Sequence, residues 1–477
     1  MMEIFGAKLM VAFYGSLAAL LFVLIFSLVY FYFFRKDAFS LKLFWVSGVS
    51  LFFLLFAKAL ISYSSRGYIS DRLLFYGIFS PKALGFLWLL GVVLIFILFL
   101  YFREKLENLS TFKFLFALYI FFVLFSVGVA AIREGFYGVY EPFTRTHWEY
   151  AGNLPLVSNI HDFVRDYVSL EPRLAEHART HPPGYTVILY IFQKYLGAGF
   201  AGLSSLIVML GGLTIFPLYY FLRNFANEDE VRRGLQFFIF LPSVVMMTAT
   251  SMETTFLFFS WVAITLIYAG WLRSIWLSFL GGILAAISLF LNYLFLLLTP
   301  LFLLLFFIVY KKGENFGKLL LKTFLAIFGF LLFYTVFYFW ADYSIIQNFL
   351  VSMGVQGEVV RSNFESVFIY LTYFIMNLVS FGIYLGILSI FLIWSNWNKI
   401  MNQENFAASL GFIMVTVFLL VGIFQGETER IWLFLTPLFI LPITKALGNF
   451  TFSQVSAFLS LLFFQTIFTQ IFFYTYW

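Results

Sequence analysis

The 477-residue chain contains no cysteine, which excludes disulfides, thiolate nucleophiles and cysteine-held metals. Charge is nearly as scarce. Asp, Glu, Lys and Arg make up 11% of the sequence, against about 25% in a soluble globular domain, too few to keep a body of this size dissolved in water. None of the six Asp forms an Asp-x-Asp pair, which disfavours a magnesium-bound nucleotide sugar at a soluble-type site. There is no Walker-type glycine loop, which argues against an ATP-driven pump, and no Gly-x-Ser-x-Gly elbow. The net charge of +6 is spread without a dense basic run, so nucleic acid is excluded as a partner.

What is present is apolar: 62% hydrophobic residues, 71 of them Phe. The composition specifies a polytopic membrane protein, expected to be all-α and to lie in the plasma membrane. A spanning helix needs about 20 mostly apolar residues. Such runs fall near 10–34, 43–62, 83–102, 114–132, 199–222, 234–250, 254–272, 276–292, 294–310, 319–340, 406–424, 430–446 and 452–474. The stretch 364–395 reads as one tilted span or two short ones, and 183–197 as a short apolar segment. The total is about 13–15 transmembrane segments. Run 10–34 lacks a cleavage-type small-residue site and reads as a retained span. The chain therefore divides into N-terminal helices over 1–132, one long extracytoplasmic loop over 133–182, and a membrane bundle over 183–477. Lys and Arg mark the cytoplasmic side. Sixteen of the 29 basic residues fit that side, among them Arg35, Lys36, Arg103, Arg223, Arg232, Arg233, Lys312, Lys322 and Lys445. The loop, the turn at Glu253, segment 341–363 and loop 425–430 then lie together outside. This sidedness requires an odd number of crossings between 183 and 222, which a re-entrant 183–197 satisfies.

An ionisable residue in hydrocarbon costs about 2.5–3.5 kcal/mol, so chemistry belongs in loops or lined cavities. All four His (His147, His161, His177, His181) fall within 147–181, with Glu149, Asp162, Asp166, Glu171 and Glu176. Polar residues collect in any long loop, yet the other loops contain no His. The run His177-Ala-Arg179-Thr-His181-Pro-Pro-Gly184 is the sharpest feature. Proline forces His181 out of the helical region and fixes the imidazole and Arg179 on a turned backbone. The i, i+4 His spacing needs a helix to bind metal, which the prolines break, so no metal site is expected. The same prolines suit a plain helix start. In Thr146-His-Trp-Glu149-Tyr150 a carboxylate sits beside aromatics, surroundings of the kind that suit a general base. An interfacial anchor with a solvated acid has the same pattern. In Gly426-Glu427-Thr-Glu429-Arg430-Ile-Trp432, an Arg beside two acids fits phosphate recognition or a snorkelling anchor. Glu253 at an outward turn, and Asn292-Tyr293 breaking an apolar run, are weaker signals.

These residues resemble the GT-C superfamily of membrane glycosyltransferases, particularly the bacterial branch related to protein O-mannosyltransferases and lipid A aminoarabinose transferases, family 39-like. In that family an acidic outer loop precedes a His-Pro-Pro motif that opens the next helix. The matching residues are Glu149-Tyr150, then His181-Pro182-Pro183-Gly184. The Pro242…Glu253 stretch looks like the family's next helix pair, and Glu427–Trp432 like a late motif of related members. The similarity covers 130–300 and the segment near 430. The chain departs in having four spans before the loop, and no Asp in the loop before Asp162.

The resemblance implies inverting, metal-independent transfer of a monosaccharide from a polyprenyl-phosphate donor to a glycan, lipid or protein acceptor at the extracytoplasmic face. It requires no cofactor, with a GT-C helical bundle as the expected fold. Glu149, with Asp162 second, is then the expected base. Arg179, His181 and Arg430 are the expected phosphate-binding residues, with Tyr150, His177, Glu253, Glu427 and Glu429 around the substrate. Two other readings stay open: a transporter or flippase of lipid-linked glycans, for which inverted repeats are expected, and an O-antigen-ligase or polymerase-like enzyme using a pyrophosphate-linked donor.

Overall fold

The structure, a computed structural model, describes residues 38–64, 67–401, 406–448 and 450–475. The expected span 10–34, with Arg35 and Lys36, lies outside the described residues. Among them, the chain is almost wholly helical. Among the described residues nine helices are long and apolar enough to cross a membrane, and ten if the bent pair Glu228–Phe238 and Pro242–Thr250 counts as one span. Three shorter apolar helices follow the expected runs: Ile275–Leu291, Phe406–Val421 and Leu433–Leu447. The chain is thus an all-α polytopic membrane protein. One departure is a two-residue antiparallel pairing, Ile78–Phe79 with Phe473–Tyr474.

The expected runs break where backbone chemistry demands it. Run 234–250 bends by 58°, because Leu241 precedes Pro242 and is held extended while the proline opens a new helix. Run 364–395 is two helices, Val367–Leu385 and Ile387–Ser395, separated at Gly386. Segment 341–363, expected as an outer loop, contains a 19-residue helix, Ile345–Asn363. Its Gln347, Glu358 and Arg361 keep it too polar to span, while Ile346 and Leu350 are exposed. That combination suits a helix lying along an interface.

Polar and charged side chains gather at two opposite ends of the bundle. At one end Arg232 donates to the carbonyls of Glu107 and Leu109 at 2.8 and 2.7 Å, Lys445 pairs with Glu230 at 2.8 Å, and Lys312 reaches the Asn224 carbonyl at 3.2 Å. Lys322 bonds the Trp271 carbonyl there. At the opposite end lie 133–182, Glu253 and 425–430. Arg133 begins this polar end by donating to the carbonyls of Gln470, Ile471, Phe473 and Ser80. It satisfies the last carbonyls of helix Phe452–Phe472, which no intrahelical donor reaches.

Between 183 and 222 there is one helix of spanning length, Phe200–Leu222. The 13-residue helix Gly184–Leu196 stays at the 133–182 end. Tyr185 at its start packs on Tyr150, with ring centroids 4.7 Å apart, and Ser204, in the first turns of the helix that follows, donates to the Val139 carbonyl at 2.8 Å. Gly184 is required because a Cβ there would lie 2.2 Å from the Phe290 carbonyl oxygen, where helix Ile275–Leu291 crosses.

The cysteine-free sequence permits a direct check of the two ends. Single Ser169→Cys and Lys318→Cys variants, both at exposed positions, are expected to react with a membrane-impermeant maleimide from opposite sides of sealed vesicles. Labelling from the same side contradicts this arrangement.

Candidate active site

The segment 133–182 is a packed cap of short helical turns: Tyr137–Thr144, Tyr150–Leu156, Ile160–Asp166, Glu171–Arg173 and Ala178–Thr180. Two strips of it are stitched side by side. The His147 and Trp148 carbonyls accept from the amides of Glu176 and His177, both at 3.1 Å. Asn153, fully buried, accepts from the Ala175 amide at 2.8 Å and donates to the Thr186 hydroxyl at 3.2 Å. A buried side-chain amide must use its polar atoms, and Asn153 does so by bridging both strips. This stitching brings Glu149 to His177, Oε1 to Nδ1 at 3.2 Å.

The His-Pro-Pro-Gly run behaves as its prolines dictate. A turn of 3-10 helix over Ala178–Thr180 ends at His181, which is extended at φ −127°, and the next helix starts at Gly184. Nδ1 of His181 lies 2.8 Å from the His177 carbonyl oxygen. A carbonyl only accepts, so Nδ1 carries the proton in that bond. The ring packs edge-on against Tyr150 at 5.7 Å. Burial pushes its pKa down to about 4, against the nearby Glu253 charge. The imidazole is therefore neutral near pH 7, with Nε2 left as an acceptor. This does not suit the expected phosphate contact, because no N–H remains for an anion.

Facing this cap is a chain of alternating charges. Arg430 is buried and pairs with Glu253 at the head of helix Glu253–Leu272; its Nη2 also donates to Glu427 Oε2 at 3.0 Å. Arg72 Nη2 donates to the other Glu427 oxygen at 3.0 Å. Glu253 also accepts from the Ser251 hydroxyl. The Arg430 guanidinium stays charged because Glu253 and Glu427 more than offset its burial. Glu149 lies close enough for its charge to reach Arg430 as well. Glu149, Tyr150, Thr250 and Met252 line one small cleft with Pro142 and Leu189. Tyr150 Oη is buried there without a hydrogen-bond partner among the described residues. Its pKa is raised well above the usual value by burial, so it stays a neutral hydroxyl. An unpartnered buried hydroxyl is costly and is a natural contact for a bound polar group.

Behind Arg72 sits a second set. Glu429 accepts from the Tyr76 amide at 2.8 Å and from the Ser380 hydroxyl. Lys58, fully buried, donates to the carbonyls of Ser70, Asp71 and Leu73 at 3.3, 2.9 and 3.1 Å, fixing the turn that presents Arg72.

Glu149, Tyr150, His177, His181, Glu253, Glu427 and Arg430 are thus gathered in one place, with Glu429 next to it. Two expected site residues are elsewhere. Asp162 is half-exposed, bound to Asn159, His161 and Arg165. Its carboxyl is held below the usual range by the Asn159 and His161 hydrogen bonds, which weakens it as a base. Arg179 pairs with Glu171 at 2.6 Å and Glu176 at 3.7 Å and points into the cap's own acids. The sequence reading missed Arg72 and Lys58. Lys58 carried a signal, a lysine inside an apolar run; Arg72 carried none. Among the described residues no group of three or more His, Asp or Glu is arranged to hold a metal ion.

Neither protein-family models nor curated proteins give a match to this sequence.

Two measurements test this geometry. Removing one partner of a buried ion pair costs about 3–5 kcal/mol, so Glu253→Ala is expected to lower the unfolding midpoint markedly in detergent; an unchanged midpoint contradicts the pairing. His181 has a folded pKa below its unfolded value of 6.5. Its contribution is therefore complete above about pH 6.5 and lost as pH falls towards 4. His181→Gln is expected to flatten the difference in melting temperature across that window, and an identical acid slope in both proteins contradicts a buried neutral imidazole.

Proposed function

We propose that the chain is a membrane glycosyltransferase that moves a monosaccharide from a polyprenyl-phosphate carrier to an acceptor hydroxyl at the extracytoplasmic face, with inversion and without a metal. The observation that carries this reading is the meeting of a partly buried carboxylate–imidazole pair, Glu149 with His177 at 3.2 Å, with a buried, unpartnered Tyr150 hydroxyl and the buried Arg430 guanidinium. A base, a hydrogen-bond donor and a cation are what displacement at a sugar phosphate requires. The resemblance to GT-C enzymes points the same way, and the apolar helices around the cap suit a lipid-linked donor.

In this mechanism Glu149 takes the proton of the acceptor hydroxyl. The acceptor oxygen attacks the anomeric carbon on the face opposite the phosphate, which inverts the configuration. The bond from the anomeric carbon to the phosphate oxygen breaks, and its electron pair leaves with the lipid phosphate. Arg430 stabilises the charge that develops there, where buried donors act most strongly. His177 holds the Glu149 carboxylate in place. Nε2 of His181, an acceptor, is available to a substrate hydroxyl.

A general base contributes about 10²–10⁴-fold in rate. Glu149→Gln is therefore expected to lower transfer by that order in vesicles supplied with labelled polyprenyl-phosphate sugars, with unchanged abundance and melting temperature. Arg430→Lys, which keeps the charge but loses the fork, is expected to depress transfer as well. Full activity of Glu149→Gln in the vesicle assay rules out this assignment of the base.

A further inference from the structure

Between the cap and the C-terminal helices, a single carboxylate is held in a fork of two guanidiniums. Glu427 Oε1 accepts from Arg72 Nη2 and Glu427 Oε2 from Arg430 Nη2, both at 3.0 Å. The Arg72 guanidinium is flattened over the Tyr76 ring at 4.5 Å, and its stem lies on the backbone of Gly426, where a Cβ would come within 3.2 Å of three Arg72 carbons. The two arginines come from segments more than 350 positions apart in the sequence, and each oxygen of the carboxylate answers one of them.

We propose that this fork is the seat of the lipid carrier's phosphate, that Arg72 is its second anion-binding residue, and that Glu427 is a built-in stand-in displaced when the phosphate enters. This rests on the lipid-phosphate donor reading above.

Three features support displacement of Glu427 in preference to Glu253. First, charge and valence match. A phosphodiester presents two non-bridging oxygens and one negative charge, as a carboxylate does, so the exchange leaves the Arg72, Arg430 and Glu253 set at the same net charge. Guanidinium forks bind either group in the same way. Second, Glu427 is the more accessible of the two acids, with its side chain 16% exposed against 6% for Glu253. Glu253 is further held by Ser251. Third, Glu427 is a non-glycine residue at φ 62°, directly after Gly426 at φ 92°. Backbone held in the left-handed region persists only where its surroundings enforce it, and such strain collects at switch points. The two guanidiniums supply that enforcement, so replacing the carboxylate by a ligand releases the strained residue. After transfer the carrier leaves as a phosphate monoester, with about −1.5 to −2 charge. The return of Glu427 to the arginines competes with it and favours its release.

Binding of an isoprenyl phosphate to the purified full chain in lipid nanodiscs tests the inference without sugar or turnover. The probe is labelled geranyl phosphate, with inorganic phosphate and geraniol as competitors. The wild-type chain is expected to bind geranyl phosphate, with little competition from the other two. Removing a competing charged hydrogen bond is worth about tenfold in affinity, so Glu427→Gln is expected to bind about tenfold more tightly. Glu427→Asp, too short to span both guanidiniums, moves in the same direction. Arg72→Lys is expected to bind about tenfold more weakly. Unchanged or weaker binding by both Glu427 variants overturns the stand-in role, and unchanged binding by Arg72→Lys overturns its place in the fork. Equal competition by inorganic phosphate overturns the lipid carrier as the ligand. Sugar transfer without these binding shifts defeats this inference alone, whereas the shifts without transfer of any sugar defeat the proposed function alone.

Discussion

A guanidinium buried in an apolar body must be answered by carboxylates, and in this chain that requirement fixes where several distant segments meet. Arg430 is buried, and its partners Glu253 and Glu427 come from the head of a spanning helix and from the loop just before it. Arg72, from the first described linker, closes the row on Glu427. Taking charges out of water costs several kcal/mol each, and only close pairing with filled lone pairs recovers it. The row therefore acts as a constraint on register: helices Val367–Leu385 and Glu253–Leu272 and the Tyr68–Arg72 turn have to arrive at one point. Backbone contacts reinforce it, since Asn377 accepts from the Gly426 amide at 2.8 Å and donates to the Phe424 carbonyl at 2.9 Å.

The cap supplies the other half of the site by a different means. Its residues are joined by neutral hydrogen bonds from Asn153 and from the Tyr167 hydroxyl, which donates to the Ala178 and His181 carbonyls at 2.9 and 3.1 Å. These bonds hold the histidines and Glu149 over the charge row without adding charge. The result is a small cleft beside packed aromatics, where Tyr150 touches His181 and Tyr185 at once. Low dielectric in such a buried setting strengthens any new interaction made there. An incoming anion or hydroxyl is felt more strongly here than on an open surface.

Much of this was readable from the sequence because membrane solvent is strict: apolar run length sets helix length, and charge is too costly to scatter. Helices such as Glu253–Leu272, Phe316–Ala341 and Phe452–Phe472 begin and end within a few residues of the expected runs. The gathering of Glu149, His177, His181, Glu253 and Arg430 was legible from the rarity of those residue types. Partners were not legible. Arg179 and Asp162 looked equivalent to Arg430 and Glu149 by type, but local acids and Asn159 claim them first. Arg72 became visible only through a contact 355 positions away in sequence. Helix Ile345–Asn363 was read as loop because its polar residues fail a span criterion, although nothing in them opposes a surface helix.

The proposed chemistry depends on a bond being made, not on a lipid merely crossing the bilayer. The most direct measurement follows doubly labelled polyprenyl-phosphate monosaccharides, with one label in the sugar and one in the lipid, in vesicles containing the purified chain and an envelope acceptor fraction. The account predicts that the sugar label passes to the acceptor while an equal amount of lipid phosphate is released. Recovery of both labels together on the far leaflet, with no new glycosidic bond, contradicts it.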